Sequence, residues 1–169
     1  MLGPAPIVDF DGTLTRLPVT WDELRGRLRV ERIGEIWTSL DADQWAVVRD
    51  AEVDAARRAS PLEPIAHYLE QSMAFAILSS NSENAISVFL ERFAGLESRT
   101  ALVIGRESLS GPKDDYAVFA RGFARCVEAT AVARDDGVVV YVGDADWELE
   151  FARRLGAHAV DVRDVSTGS

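Results

Sequence analysis

The sequence predicts an α/β fold, a mostly parallel sheet with helices on both faces. Short apolar runs rich in β-branched residues alternate with segments of helical periodicity, as in sheets whose parallel strands are joined by helical crossovers. The predicted strands cover residues 6–10, 74–80, 101–105, 138–143 and 157–162, and the predicted helices between them cover 62–71, 83–93, 114–129 and 147–155. Ligands of such Rossmann-like sheets bind beyond the carboxyl ends of the strands, so a site is expected there.

Residues 16–60 differ in character from the rest of the chain. They are rich in Arg, Asp, Glu, Trp and Ala and have helical periodicity. They are therefore predicted to form a small helical cap inserted into the α/β core, which would comprise residues 1–15 and 61–165. Residues 166–169 are predicted to be a frayed tail.

Two helices are expected within this segment. Thr20 and Glu23 have the spacing of a capping box for the first helix. The apolar positions behind them are Leu24, Leu28 and Ile33. The second helix is predicted over residues 43–59, because Pro61 disfavours a helical conformation in the residue before it.

Composition limits the classes of function. The 169 residues are 47% hydrophobic and carry a formal net charge of −10. This charge argues against nucleic acid or an anionic membrane as a partner, since both are bound by basic surfaces. No apolar run approaches the roughly 20 residues that span a bilayer, and the first residues lack the basic start of a signal peptide. We expect a cytoplasmic protein, and its oligomeric state stays open.

Two acidic residues end the first predicted strand. Asp9 and Asp11 are two residues apart and share one face of an extended segment, while Gly12 lets the backbone turn and approach a ligand. Two carboxylates at one place repel each other. A divalent metal with oxygen ligands or a proton held by one partner relieves this repulsion, and either is useful in catalysis.

The second predicted strand ends at hydroxyl and amide side chains. Ser80 and Asn81 stand where the following helix begins, so a hydroxyl and the free N–H groups of the first helical turn can donate to one anion. From the residues alone, helix capping is as good an interpretation as anion binding, because Ser and Asn are preferred cap residues.

Lys113 is the one lysine among 18 basic residues. It lies just before a predicted helix, where a positive charge is unfavourable unless an anion is near. A compact ammonium suits a phosphate and a carboxylate better than the planar fork of an arginine does. Lys113 is therefore a candidate phosphate ligand.

The fourth predicted strand ends in Gly143 and Asp144. Mg²⁺ takes about six oxygen ligands and keeps several waters, so one or two carboxylates beside Asp9 would complete its shell. Asp146 and Glu148 follow closely. Either could support the metal site, and Asp146 could instead cap the helix that is expected to begin near residue 147.

Together these segments resemble the four motifs of the haloacid dehalogenase-like (HAD) hydrolases, in the family's order. The first motif is Asp9-Phe10-Asp11-Gly12-Thr13-Leu14-Thr15, and most members of the family are magnesium-dependent phosphatases. The resemblance implies that Asp9 is a nucleophile that becomes a phospho-aspartate. It also implies that Asp11 protonates the leaving group and then activates water.

The resemblance extends to the ligands. Mg²⁺ would be held by Asp9, Asp144 and the backbone carbonyl of Asp11. The family's second motif is a Ser or Thr commonly followed by Asn, which favours Ser80 over Ser79. The implied phosphate ligands are Gly12, Ser80, Asn81 and Lys113. The family's fourth motif has a further Asp three or four residues after Gly-Asp, and this chain has Glu148 there.

These observations predict a magnesium-dependent phosphatase that acts on a small phosphorylated metabolite. Asp11 weighs against dehalogenation, because a halide leaves without a proton. A phosphomutase shares all four motifs and is an alternative. A catalytically weak module that binds a phosphorylated ligand or a partner protein is another, although a pure binder has no need of an acid/base group.

Overall fold

The structure is a computed structural model that describes residues 5–30, 40–134 and 137–165. Within these residues, five strands form one sheet in the order β3-β2-β1-β4-β5, and every neighbouring pair is parallel. The strands are β1 (Ile7–Val8), β2 (Phe75–Leu78), β3 (Thr100–Ile104), β4 (Val140–Gly143) and β5 (His158–Asp161). The predicted parallel sheet is confirmed.

Helices precede or follow each strand, as the alternation of patterns predicts. They are α1 (Trp21–Leu28), α2 (Ala42–Ala56), α3 (Glu63–Gln71), α4 (Glu83–Leu90), α5 (Ala94–Glu97), α6 (Tyr116–Ala129) and α7 (Asp146–Arg154). The sequence predicts one helix over residues 83–93, but α4 ends at Leu90 and a turn separates it from the short α5. None of the helices in the described ranges is long and apolar enough to cross a membrane.

Successive residues of β1 point to opposite faces of the sheet, and helices cover each face. Val8 packs in a buried cluster with Ile65 of α3 and Phe89 of α4. Ile7 packs in a second cluster with Phe119 of α6. Side chains alternate in this way because a strand has a period of two residues. The prediction of helices on both faces is confirmed.

The helices between β1 and β2 contact each other and the core. Leu24 and Leu28 of α1 meet Val48 of α2 in a small apolar cluster. Ala55 and Ala56, at the end of α2, are fully buried against the core, and α2 packs along α4. The predicted second helix is confirmed as α2, although it ends at Ala56 and not at residue 59. The division of the chain into a core and a cap stays a prediction.

The start of α1 differs from the prediction. Thr20 precedes α1, but its side chain makes no cap hydrogen bond, so the predicted capping box with Glu23 is wrong. A capping box occurs instead at α2, where Asp41 accepts from the Gln44 N–H and Gln44 accepts from the Asp41 N–H. Ile33 and residues 166–169 lie outside the described residues.

Candidate active site

The ends of the central strands bring the predicted acidic residues together. Ile7 pairs with Ala76 of β2 on one side and with Tyr141 of β4 on the other. The Asp9 N–H donates to the Val142 carbonyl at 2.9 Å, which continues this register past the end of β1. Asp9 and Asp144 therefore leave adjacent parallel strands at the same edge of the sheet.

Lys113 lies between two carboxylates at this edge. Its Nζ donates to Asp9 Oδ1 at 2.5 Å and to Glu148 Oε2 at 2.8 Å. The Tyr141 hydroxyl donates to the same Glu148 oxygen at 2.9 Å. All four side chains are buried. We call Asp9, Lys113, Tyr141 and Glu148 the Lys113 centre.

Both oxygens of Glu148 are occupied by donors of the protein. Oε1 accepts from the N–H groups of Asp144 at 2.9 Å and Ala145 at 3.2 Å, and Oε2 accepts from Lys113 and Tyr141. Glu148 thus ties the lysine to the loop that carries Asp144. Gly143 makes room for it, because a Cβ there would lie 2.0 Å from Glu148 Oε1.

Asp146 has a different position. It is the first residue of α7, the cap residue is Ala145, and the Asp146 side chain is exposed. The interpretation that Asp146 caps α7 is therefore wrong, since Glu148 accepts from the N–H groups at this helix start.

The electrostatics of the Lys113 centre favour one arrangement of charge. Burial alone would lower the pKa of Lys113, but the carboxylates of Asp9 and Glu148 raise it above its ordinary value. Burial raises the pKa of Asp9 to about 7, against the opposing effect of Lys113. For Glu148, Lys113 outweighs burial and lowers the pKa. The lysine and Glu148 are therefore charged, and Asp9 is the group that takes a proton first.

Asp11 lies beside this centre in the turn after β1. Its Oδ1 accepts from the Leu17 N–H at 2.8 Å. Burial raises the pKa of Asp11, and the nearby Asp144 carboxylate adds to the effect. The turn depends on Gly12, whose φ is +90° and where a Cβ would lie 2.3 Å from Asp144 Oδ2. Only glycine suits both the backbone conformation and this close approach.

The carboxylates fit a small divalent cation. One oxygen each from Asp9, Asp144 and Glu148 lie within 4.8 Å of one another. Glu148 already has internal donors on both oxygens, so Asp9 and Asp144 are the pair suited to ligate. Mg²⁺ is typically held by one or two carboxylates with waters completing its shell. The donor set therefore suits Mg²⁺.

The loop after β2 reaches the same edge of the sheet. Ser80 is exposed, whereas Ser79 is buried and donates from Oγ to Asn81 Oδ1 at 2.9 Å. The Asn81 amide donates in turn to Glu52 Oε1 at 3.0 Å. The Asn81 side chain thus holds the loop and contacts α2, while Ser80 is left as the accessible hydroxyl.

The start of α4 differs from the expectation that its first N–H groups are open to an anion. The Ser82 N–H donates to Glu52 Oε2 at 3.1 Å and the Glu83 N–H to Glu107 Oε2 at 2.8 Å. The Asn84 N–H donates to Ser82 Oγ at 3.2 Å. These N–H groups have protein acceptors, so an anion at this edge would depend on side chains and on other parts of the loop.

A second buried cation lies behind the loop. Arg106 Nη2 and Nη1 donate to the two oxygens of Glu52 at 2.7 and 3.0 Å, and Nη1 also donates to the Ser80 carbonyl at 3.1 Å. The guanidinium lies 4.6 Å from the centre of the Trp45 ring. We call Trp45, Glu52 and Arg106 the Arg106 centre. It joins α2 to the loops after β2 and β3.

Sequence reasoning did not find this second centre. A signal was present in α2, where Glu52 follows Val48 by four residues and precedes the buried Ala55 and Ala56. A glutamate on the apolar face of a helix indicates a buried partner. Nothing in the sequence identifies that partner as Arg106.

A cavity of about 450 Å³ opens above both centres. Asp9, Asp11, Lys113 and Asp144 line it near the sheet, and Ser80 lines it at the loop after β2. α1 contributes Trp21 and Arg25, α2 contributes Trp45 and Glu52, and α7 contributes Trp147. Arg25 is the arginine that α1 contributes to this lining. It also pairs with the exposed Asp22.

Comparison with known proteins supports the assignment of the fold. No protein-family model and no curated protein sequence matches the chain. Solved structures do match. L-2-haloacid dehalogenase from Xanthobacter autotrophicus is 21% identical with a TM-score of 0.65, and the match covers 99% of this chain and 80% of that one. The chain has the HAD hydrolase fold.

Two further structures agree with this HAD fold. A hydrolase from Pseudomonas syringae is 19% identical with a TM-score of 0.61, covering 94% of this chain and 84% of that chain. A putative haloacid dehalogenase-like hydrolase from Bacteroides fragilis is 18% identical with a TM-score of 0.58, covering 93% and 86%. The HAD-like motifs predicted from the sequence contribute Asp9, Asp11, Ser80, Lys113 and Asp144 to one cavity of this fold.

Proposed function

We propose that the protein is a magnesium-dependent phosphatase that hydrolyses a small phosphorylated metabolite through a phospho-aspartate on Asp9. The observation that carries the proposal is the convergence of Asp9, Asp11, Lys113 and Asp144 at one cavity. A nucleophile, an acid, a cation and a metal ligand are the parts that phosphoryl transfer from a monoester requires.

In the first step an Asp9 oxygen attacks phosphorus, and the bond between phosphorus and the leaving oxygen breaks. Asp11 donates its proton to that oxygen, so the product leaves as an alcohol. Its raised pKa favours the protonated form that this step needs. Bound by Asp9, Asp144 and the Asp11 carbonyl, Mg²⁺ would neutralise charge between the phosphate and Asp9.

In the second step the ionised Asp11 takes a proton from water as the water oxygen attacks phosphorus. The bond from phosphorus to Asp9 breaks, phosphate leaves, and both carboxyl groups return to their starting states. Lys113 has three N–H donors, of which Asp9 and Glu148 use two, so one remains for a phosphate oxygen. The exposed Ser80 hydroxyl is suited to a second phosphate oxygen.

Asp11 distinguishes this function from dehalogenation. A halide leaves without a proton, so a dehalogenase gains nothing from an acid at this position. The presence of acidic residues at both positions 9 and 11 also weighs against a pure binding module, because such a module has no need of an acid/base group.

The proposal is tested by phosphate release from a panel of small phosphomonoesters with Mg²⁺, with EDTA as a control. We expect hydrolysis that EDTA abolishes and that Asp9→Asn lacks. Acid-quenched wild-type protein should carry phosphate on Asp9, and Asp11→Asn should lose most turnover. Halide release from 2-chloropropionate is measured in parallel, and we expect none.

Other outcomes would contradict the proposal in different ways. Isomerisation of a sugar phosphate without phosphate release would indicate a phosphomutase. Binding of Mg²⁺ without turnover of any compound would indicate a binding module. Normal steady-state activity of Asp9→Asn would exclude Asp9 as the nucleophile.

A further inference from the structure

We propose that the leaving group of the substrate is an alcohol that carries a flat ring and no second anionic group. This inference rests on the proposed function, since it names the class of phosphomonoester that the cavity accepts. Two observations carry it, namely the aromatic wall of the cavity and the pairing of its cations.

The wall is built from tryptophans on three different helices. Among the described residues, Trp21 of α1, Trp45 of α2 and Trp147 of α7 line the cavity that contains Asp9 and Asp11. Flat rings prefer to pack against flat rings, in offset or edge-to-face arrangements. A volume of about 450 Å³ is within the usual size of small-molecule sites.

Two of these rings are held in place before any ligand binds. The Trp45 ring lies 4.6 Å from the Arg106 guanidinium, which Glu52 fixes through two hydrogen bonds. The Trp147 ring packs edge-on against Phe151, with ring centres 5.6 Å apart. A preformed wall loses little side-chain freedom on binding, which favours a ligand that matches its shape.

Trp147 places ring surface next to the reacting groups. Its ring centre lies 5.8 Å from Lys113 Nζ, and the residue is 37% exposed. A ring attached close to the phosphate oxygen can therefore contact Trp147 while the phosphate contacts Lys113. Covering this apolar surface is favourable in proportion to the area removed from water.

The charges around the cavity disfavour a second anion on the substrate. Arg106 is paired with Glu52, and Lys113 with Asp9 and Glu148, all of them buried. Among the described lining residues, Arg25 is the cation whose acidic partner, Asp22, is exposed. The acidic side chains that line the cavity outnumber the basic ones, and they are Asp9, Asp11, Glu52, Asp114, Asp144 and Glu148. A phosphate or carboxylate on the leaving group would therefore find both buried cations of the lining, Arg106 and Lys113, already paired with carboxylates.

Matched substrates test the inference with the full chain and Mg²⁺. Benzyl phosphate and cyclohexylmethyl phosphate have leaving groups of similar size and basicity, but only the first ring is flat. We expect kcat/KM to be about tenfold higher for benzyl phosphate, the order that one aromatic contact supplies. 4-Carboxybenzyl phosphate, which adds a second anion, should be a poorer substrate than benzyl phosphate.

Substitutions of the tryptophans test whether they cause the preference for benzyl phosphate. Trp147→Leu and Trp45→Leu should reduce the ratio between the two ring substrates toward one, mainly by raising KM for benzyl phosphate. Trp147→Phe keeps a flat ring and should retain most of the preference. Phe93→Leu is the matched control, because Phe93 is an aromatic residue outside the cavity lining whose ring packs against Phe89. Circular dichroism checks that each variant is folded.

The outcomes separate this inference from the proposed function. Hydrolysis of ethyl phosphate and both ring substrates at equal rates would overturn the inference and leave the phosphatase assignment standing. A preference for 4-carboxybenzyl phosphate would overturn the part that excludes a second anion. No phosphate release from any compound, ethyl phosphate included, would overturn both.

Discussion

The Lys113 centre and the Arg106 centre each place a buried cation against buried carboxylate. They differ in which hydrogen-bonding groups remain available to a ligand. Lys113 keeps one donor for a ligand, and its partner Asp9 has a carboxylate oxygen that the lysine does not contact. At the Arg106 centre both Glu52 oxygens are shared among Arg106, Asn81 and Ser82, and Trp45 covers the guanidinium.

This difference separates a reactive ion pair from a structural one. The Arg106 centre satisfies its charges internally and connects α2 with two loops of the sheet edge. The Lys113 centre has an unequal charge balance, with two carboxylates for one ammonium, and a ligand or metal can complete it. Substitutions of the ionic groups should therefore affect activity at the Lys113 centre and stability at the Arg106 centre.

Among the substitutions of the two buried cations, the largest effect on activity is expected at Lys113. Lys113→Met should lower kcat for phosphomonoester hydrolysis by about 10²- to 10³-fold, the usual cost of losing one group that stabilises transition-state charge. Lys113→Arg keeps the charge but not the compact ammonium, and we expect it to restore little activity. Steady-state kinetics measure both. Activity of Lys113→Met within threefold of wild type would show that the lysine does not contact the phosphate.

The next largest effect is expected in the pH dependence of Mg²⁺ affinity, through Asp9. Because burial raises the pKa of Asp9 to about 7, the carboxyl group becomes protonated as pH falls through that value. A proton and a metal compete for the same oxygens, so Mg²⁺ affinity should fall by about tenfold per pH unit below 7 and level off above it. Calorimetric titration at several pH values measures this, with Asp9→Asn as the control that lacks the transition. An affinity that stays constant across this range would contradict the assignment of Asp9 as a ligand.

At the Arg106 centre the expected effect is on stability. Arg106→Met leaves the Glu52 carboxylate buried without its main partner and should cost about 3–5 kcal/mol of the free energy of unfolding. The double variant Glu52→Met with Arg106→Met removes both charges and should recover much of this loss. Urea denaturation measures each value.

An exposed ion pair at the end of α2 is the matched control for the buried Arg106–Glu52 pair. Arg58 pairs with Asp54 at 2.9 Å, but both side chains are more than half exposed. Arg58→Met should therefore cost at most about 1 kcal/mol. Equal losses for Arg58→Met and Arg106→Met would contradict a specific role of burial.

The smallest effect is expected at Asp146. Its exposed carboxylate in the first turn of α7 contributes at most about 1 kcal/mol through the helix dipole. Asp146→Ala should leave activity within about twofold, whereas Glu148→Gln, which removes a charged partner of Lys113, should reduce it clearly. Steady-state kinetics of the two variants test this. A larger loss of activity for Asp146→Ala than for Glu148→Gln would show that Asp146, and not Glu148, supports the site.

The prediction of the fold succeeded where the signal is local. Ile7 and Val8 form a short apolar, β-branched run that is typical of a strand buried on both faces, and this signal is visible in a few consecutive residues. The prediction of a capping box at Thr20 failed although its spacing is correct, since the Thr20 side chain makes no cap hydrogen bond, whereas a box does form at Asp41 and Gln44. Spacing alone does not show which capping pattern forms its hydrogen bonds.

The sequence by itself determined the parallel α/β fold and the residues that reach the carboxyl edge of the sheet, because strand periodicity and polar strand ends are local properties. Only the tertiary structure decided which charged residues pair around this edge. Glu52 meets Arg106 across 54 residues, and Glu148 meets Lys113 across 35. The wall of tryptophans likewise joins α1 and α2 to α7, which is distant from both in the chain. Such contacts depend on how helices pack against the sheet, which periodicity does not encode.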